Sequence, residues 1–248
     1  MYRFFVEPNQ IGEESIVIVG KDVNHIKNVL RMKIGETILI SDGSDKEYIC
    51  SVEKIADDEI TAKIEDINGE TRELPIKVTL FQALPKGDKM ETIIQKMVEL
   101  GAYQIVPMST KRCVVKLDAK KAANKVKRWN AISESAAKQS KRGKIPKLRG
   151  ILSFKDALED MKNNDLNIAP YENERTKSIK QAIKGVNINT MGIFVGPEGG
   201  FEESEIEAIE EISGKSVSLG PRILRTETAS LVASSIVLYE LSDLGGDE

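Results

Sequence analysis

The chain has 248 residues, with 36 lysines and arginines against 39 aspartates and glutamates, and 40% of its residues are hydrophobic. That apolar fraction supplies a buried core and excludes disordered, collagen-like and fibrous classes. Two isolated cysteines, Cys50 and Cys113, fit reduced thiols rather than a disulfide framework. The single histidine, His25, excludes zinc sites built on several imidazoles and disfavours a Ser/His/Asp triad.

Met1 to Pro8 lacks a basic segment followed by an apolar stretch, so no signal peptide is expected. Short strands are expected at Arg3 to Val6, Ser15 to Val19, Thr37 to Ser41, Glu47 to Ile55 and Glu59 to Ile67, making a small barrel over residues 1–70. One helix interrupts them, with Asp22 as its expected cap and Val23, Ile26, Val29 and Leu30 at helical spacing. The turn-rich stretch Gly69 to Pro75 marks a boundary, and a second domain is expected over 75–248.

From Ile76 strand and helix patterns alternate, which predicts an α/β layer with a mostly parallel sheet. Strands are expected at Ile76 to Phe81, Gln104 to Met108, Leu166 to Ala169, Met191 to Val195 and Ser216 to Leu219. Helices are expected over Asp88 to Leu100, ending at Gly101 in a left-handed cap, and over Ala119 to Ser140, Ser153 to Lys162, Glu203 to Ser213 and Glu227 to Leu241. Serines and Glu240 interrupt the last apolar stretch, Leu231 to Leu241, which is too short to cross a bilayer.

The small net charge hides two opposed segments. Fourteen lysines and arginines lie between Lys111 and Arg149, opposed only by Asp118 and Glu134, whereas Glu198 to Glu211 holds seven glutamates and no cation. Counterion release favours polyanion binding by the first, although a solvated lysine-rich helix face explains the same run. The acidic run reads as the outer face of a helix.

Four segments carry candidate chemistry. Ile193-Phe194-Val195-Gly196-Pro197-Glu198-Gly199-Gly200-Phe201 runs from a buried strand into a glycine-rich bend, the pattern of a ligand loop or a tight turn. It is neither GxGxxG nor a P-loop, and Gly214-Lys215-Ser216 is a decoy because Ile209 stands where a P-loop needs glycine. Leu219-Gly220-Pro221-Arg222-Ile223-Leu224-Arg225-Thr226-Glu227-Thr228-Ala229 crowds Arg222 and Arg225 against a helix start, against the dipole preference; Thr226 is the expected cap. Gln82 to Glu91 places Lys86 and Lys89 beside Gly87, and Ser133 to Arg142 lies within the basic segment.

Taken with Arg3-Phe4-Phe5 and His25 to Gly35, these segments resemble the bacterial 16S rRNA uridine-N3 methyltransferases of the SPOUT superfamily, over nearly the whole chain and least clearly from Leu152 to Asn189. The resemblance implies a PUA-like RNA-binding barrel followed by an α/β domain with a trefoil knot. It also implies S-adenosylmethionine as cofactor, the small ribosomal subunit as partner, a homodimer, no metal and a cytoplasmic location. By motif, Gly196, Pro197, Glu198, Gly199, Gly200, Leu219, Gly220, Arg222, Ile223, Leu224 and Arg225 become cofactor walls. Leu231, Val232, Ile236 and Leu238 become candidates for knot and dimer packing, though a core helix has the same pattern. Arg225 is assigned to stabilise a uracil anion, and Glu198 and Glu227 are alternative proton acceptors. Arg31, Lys33, Lys86, Lys89, Lys138, Lys141 and Arg142 are the expected RNA contacts. A non-catalytic RNA-binding or ribosome-assembly module is the competing class, and an enzyme acting on tRNA ribose fits less well.

Overall fold

A computed structural model describes residues 1–43, 46–68, 73–242 and 244. They form two compact units, Met1–Glu73 with Ala137–Ile145, and Leu74–Ala136 with Pro146–Glu248. Residues 69–72 of the expected join lie outside the described residues. Nothing in the sequence signalled that the stretch 137–145 packs with the first unit.

In the first unit β1 (Tyr2–Phe5), β2 (Ser15–Val19), β3 (Thr37–Ser41), β4 (Glu47–Ile55) and β5 (Glu59–Asn68) make one sheet in the order β1-β3-β4-β5-β2. The β1 to β3 pair is parallel and the rest are antiparallel. Alternation decides its core face: Ile16 and Ile18 of β2 are buried while Val19 is exposed, and they join Phe4, Ile38, Ile40, Val52 and Ile60. Helix α1 (Lys21–Asn24) widens into a π turn at His25–Val29. The expected cap is corrected here: Gly20, at φ 77°, precedes the helix, and Asp22 sits inside it. The buried Asp22 carboxylate instead accepts from Lys138 Nζ at 3.2 Å.

The second unit holds β6 (Lys77–Ala83), α2 (Lys89–Glu99), β7 (Gln104–Ser109), α3 (Ala119–Gln139, whose last turn counts with the first unit), β8 (Leu152–Ser153), α4 (Phe154–Met161), β9 (Leu166–Pro170), α5 (Ile179–Ile183), β10 (Thr190–Val195), α6 (Glu203–Glu211), β11 (Lys215–Val217) and α7 (Thr226–Leu241). Its sheet runs β11-β9-β10-β6-β7-β8, and every pair is parallel. β6 and β10 are buried almost end to end, as expected of central strands covered on both faces, and Phe81 stacks on Phe194 at 4.3 Å between them. The α2 stripe Met90, Ile93, Ile94 and Met97 is buried, and Gly101 takes φ 96° just past its end, where a Cβ would strike Leu74. β8 and α5 were not foreseen: two and five residues are too short to show a period, although Ser178 and Gln181 form a capping box at α5.

Chain order reverses across the β10 and β6 pair. Connections from β6 lead outward to β7 and β8, while β9, β10 and β11 lie on the other side. Open parallel sheets bind ligands outside the carboxyl ends of strands at such a reversal.

Candidate functional site

Three loops at the carboxyl ends of β9, β10 and β11 enclose a cleft of about 510 Å³. Pro170 to Glu172 form one wall, Val195 to Phe201 the second and Ser218 to Thr226 the third, with Lys89 at the rim. The second loop turns back through a bond from the Gly200 amide to the Pro197 carbonyl, 3.0 Å, with Gly200 at φ 67°. A Cβ on Gly200 would lie 2.3 Å from Glu172 Oε1, so glycine brings these two walls together. Outside the loop, Arg112 Nη1 donates to the Gly199 carbonyl at 2.8 Å. The third loop turns at Gly220, φ 108°, whose Cβ direction is open, and presents Ile223 at 90% exposure.

Charge at the rim is organised around Lys89. Its Nζ lies 2.8 Å from Glu198 Oε1 and 3.4 Å from Glu227 Oε2. The Lys86 amide also donates to Glu198 Oε1, at 3.0 Å. Burial of Glu198 works against its charge, but bonds from Lys89, from its own amide and from the Lys86 amide outweigh it and hold the carboxyl below its ordinary range. The bond to Glu198 lifts Lys89 above its usual value despite desolvation. The Lys89 contact to Glu227 is an ion pair without hydrogen-bond geometry, and Glu227 Oε2 is buried with no hydrogen-bond donor.

The structure brings every expected cofactor-wall residue to this cleft: Gly196, Pro197, Glu198, Gly199, Gly200, Leu219, Gly220, Arg222, Ile223, Leu224 and Arg225. Among the described residues neither the Arg222 nor the Arg225 side chain has a protein partner. Of the three expected catalytic residues, Glu198 and Arg225 line the cleft and Glu227 stands outside it, behind Lys89. The expected Thr226 cap is corrected: Arg225 is the capping position, without a side-chain bond, and Thr226 begins α7 with its hydroxyl directed to the Gly196 carbonyl. Tyr171 and Glu172, in the stretch least legible in the sequence, were not among the expected site residues, and Gln82, although it opens one of the four segments, was given no role; its polarity at the end of an apolar strand was the available signal. In α7 the buried positions include Ser230, Ala233, Ser234, Val237 and Leu238, while Leu231, Val232 and Ile236 are half-buried. The decoy Ser216 is structural, donating to Glu210 at 2.6 Å.

The expected RNA cations divide. Arg31, Lys33 and Lys141 in the first unit and Lys86 in the second are exposed, and Arg31 and Lys141 hold positive φ, 52° and 59°. Lys138 is committed to Asp22, and Lys89 to Glu198 and Glu227. Arg142 is not a surface cation. Its side chain is 4% exposed and paired with Glu73, because a guanidinium shielded from water needs a carboxylate. Among the described residues no cluster suits a metal ion, and no helix is long and apolar enough to cross a membrane.

Comparison with known proteins adds direct evidence. The model for the RNA methyltransferase domain matches residues 72–238, and that for the RNA methyltransferase PUA domain matches 18–65. The ribosomal RNA small subunit methyltransferase E of Bacillus subtilis (strain 168) is 40% identical over 256 residues, covering all of both chains. The chain belongs to this family of rRNA methyltransferases. A Legionella pneumophila methyltransferase solved with its cofactor SAM bound matches at TM-score 0.85 and 31% identity, covering 98% of each chain. A family member from Neisseria gonorrhoeae bound to S-adenosyl methionine matches at 0.82 and 32%, covering 98% of this chain and 99% of its own.

Proposed function

We propose that the protein methylates uridine N3 in small-subunit (16S) rRNA with S-adenosylmethionine as donor, in the cytoplasm and as a homodimer. The three-loop cleft outside β9, β10 and β11 is the observation that carries this. Its residues fit the cofactor. The volume lies within the roughly 300–1,000 Å³ usual for small-molecule sites. Open glycine backbone at Gly220, with apolar Leu219, Ile223 and Leu224 alongside, suits a ligand that is part aromatic and part polar. Gly196 to Gly200 and Leu219 to Arg225 would hold it.

Bound there, the cofactor supplies an electrophilic methyl group. The chain's own task is to orient the uracil and manage its N3 proton, because N3 becomes a good nucleophile only when that proton leaves. Arg225, free of protein partners at the cleft, is placed to stabilise the resulting anion. Glu198 is already bonded by Lys86 and Lys89 and held below the usual carboxylate range, so we assign it to bracing the loop. Glu227 retains an oxygen without a hydrogen bond but stands outside the cleft, so we assign it to receive the proton through water and not directly.

The first domain, residues 1–70, is proposed to grip RNA through Arg31 and Lys33, with Lys141 from mid-chain and Lys86 from the second domain, 75–248, adding phosphate contacts. The target base has to be unpaired or extruded. The half-buried Leu231, Val232 and Ile236 and the 70% exposed Tyr239 support an α7 dimer face, and the family resemblance supports a trefoil knot in the second domain. Calorimetry with S-adenosylmethionine tests the central reading: wild type binds and Gly199→Trp does not. An RNA-binding module without catalysis would show no binding in either.

A further inference from the structure

Thr226 is 5% exposed and its hydroxyl donates to the Gly196 carbonyl at 2.6 Å. The same oxygen accepts from Gln82 Nε2 at 3.0 Å. Gln82, fully buried on β6, also donates from Nε2 to the Ala83 carbonyl at 2.9 Å, while its Oε1 accepts from Ser230 Oγ at 2.5 Å. The direction of this chain is fixed by chemistry. An amide nitrogen only donates, so the Thr226 oxygen accepts from it and the single hydroxyl proton goes to Gly196. A capping threonine bonds an amide of its own helix. Here the hydroxyl joins the first residue of α7, immediately after the third loop, to the residue that opens the second. Thr226, Gln82 and Ser230 are all buried, so no surface water replaces a missing member.

We propose that Thr226, oriented by Gln82, is a positioning residue that pins the loops 196–200 and 219–225 at the separation S-adenosylmethionine requires. The inference rests on the cofactor reading above. Thr226→Val keeps the shape and removes both the proton and the acceptor. The expected result is a Kd and a KM for S-adenosylmethionine raised roughly tenfold, the size expected from losing the one of its two buried bonds that joins the loops, Thr226 to Gly196, with kcat at saturating cofactor held. Thr226→Ser restores both constants. Gln82→Glu, assayed at a pH high enough to ionise the buried carboxyl so that it cannot donate, draws the Thr226 proton to itself, frees Gly196 and weakens cofactor binding in the same way. Ser234→Ala, which removes a buried α7 hydroxyl that has no hydrogen bond, leaves affinity unchanged.

Wild-type affinity in Thr226→Val, failure of serine to rescue, or an equal loss in Ser234→Ala would overturn the proposal. If Gln82→Glu fails to fold, the valine and serine pair still decides it. Absence of binding to the wild type would instead refute the cofactor reading itself, so the two failures are distinguishable.

Discussion

Arg142 is the residue at which surface chemistry and scaffold chemistry give opposite expectations. In the first unit its side chain and that of Glu73 are 4% and 11% exposed, and Glu73 also receives the Lys144 amide at 3.1 Å. Arg142→Met keeps much of the aliphatic stem but leaves the Glu73 carboxylate shielded from water without its guanidinium. Removing one partner of a buried ion pair costs about 3–5 kcal/mol. At about 2–4 °C per kcal/mol for a chain of this size, the melting temperature falls by about 6–20 °C. Converting Glu73 to Gln in the same chain removes the stranded charge and recovers most of that loss. Urea unfolding of the wild type, the single and the double variant measures both effects. A salt titration of RNA binding by folded Arg142→Met should retain the wild-type slope, because the guanidinium meets no phosphate. Wild-type stability together with a slope reduced by about one would refute the burial argument and return Arg142 to the RNA surface.

Gly196→Ala places a Cβ 3.0 Å from the Gly200 backbone carbon, a contact the loop relieves only by shifting. Overpacking of about 1–3 kcal/mol corresponds to roughly 5- to 150-fold weaker cofactor binding, and unchanged affinity by calorimetry contradicts it. Glu174 is held at about 2 chiefly by bonds from the Thr176 hydroxyl and the Thr176 and Lys177 amides, against desolvation. Its folded value lies below the ordinary 4.5, so its contribution is complete above that value and is lost as pH falls towards about 2. Protection factors of the Thr176 and Lys177 amides, taken relative to intrinsic exchange at each pH, should fall across that window in wild type, and Glu174→Gln should remove that fall. Arg225→Ala should lower kcat by about 10²–10³ if the guanidinium stabilises the uracil anion, and single-turnover rates equal to wild type would exclude that role.

The elements legible in the sequence were those with a period or a punctuating residue. Alternation fixed β2 to the residue, and the Met90 to Met97 stripe with Gly101 fixed α2. Both cleft bends were visible because glycine and proline mark them directly. Partnership was not visible. Lys138 and Arg142 looked like members of a basic run, and only folding showed that Asp22 and Glu73, distant in sequence, neutralise them. Thr226 carried the signature of a cap, but Arg225 takes the capping position, and the Thr226 oxygen accepts from Gln82 Nε2 instead of from an amide of its own helix. The strand leading into the wall at Pro170 to Glu172 was legible, but the loop after it holds no glycine, and nothing in its residues marked it as facing a ligand.

The most direct test supplies methyl-labelled S-adenosylmethionine and small ribosomal subunits lacking the modification, then maps the labelled nucleotide. Label on N3 of a uridine in the 16S rRNA, lost with Gly199→Trp, is the predicted result. No transfer under conditions where the cofactor binds, or label on ribose or on another base, would contradict the account.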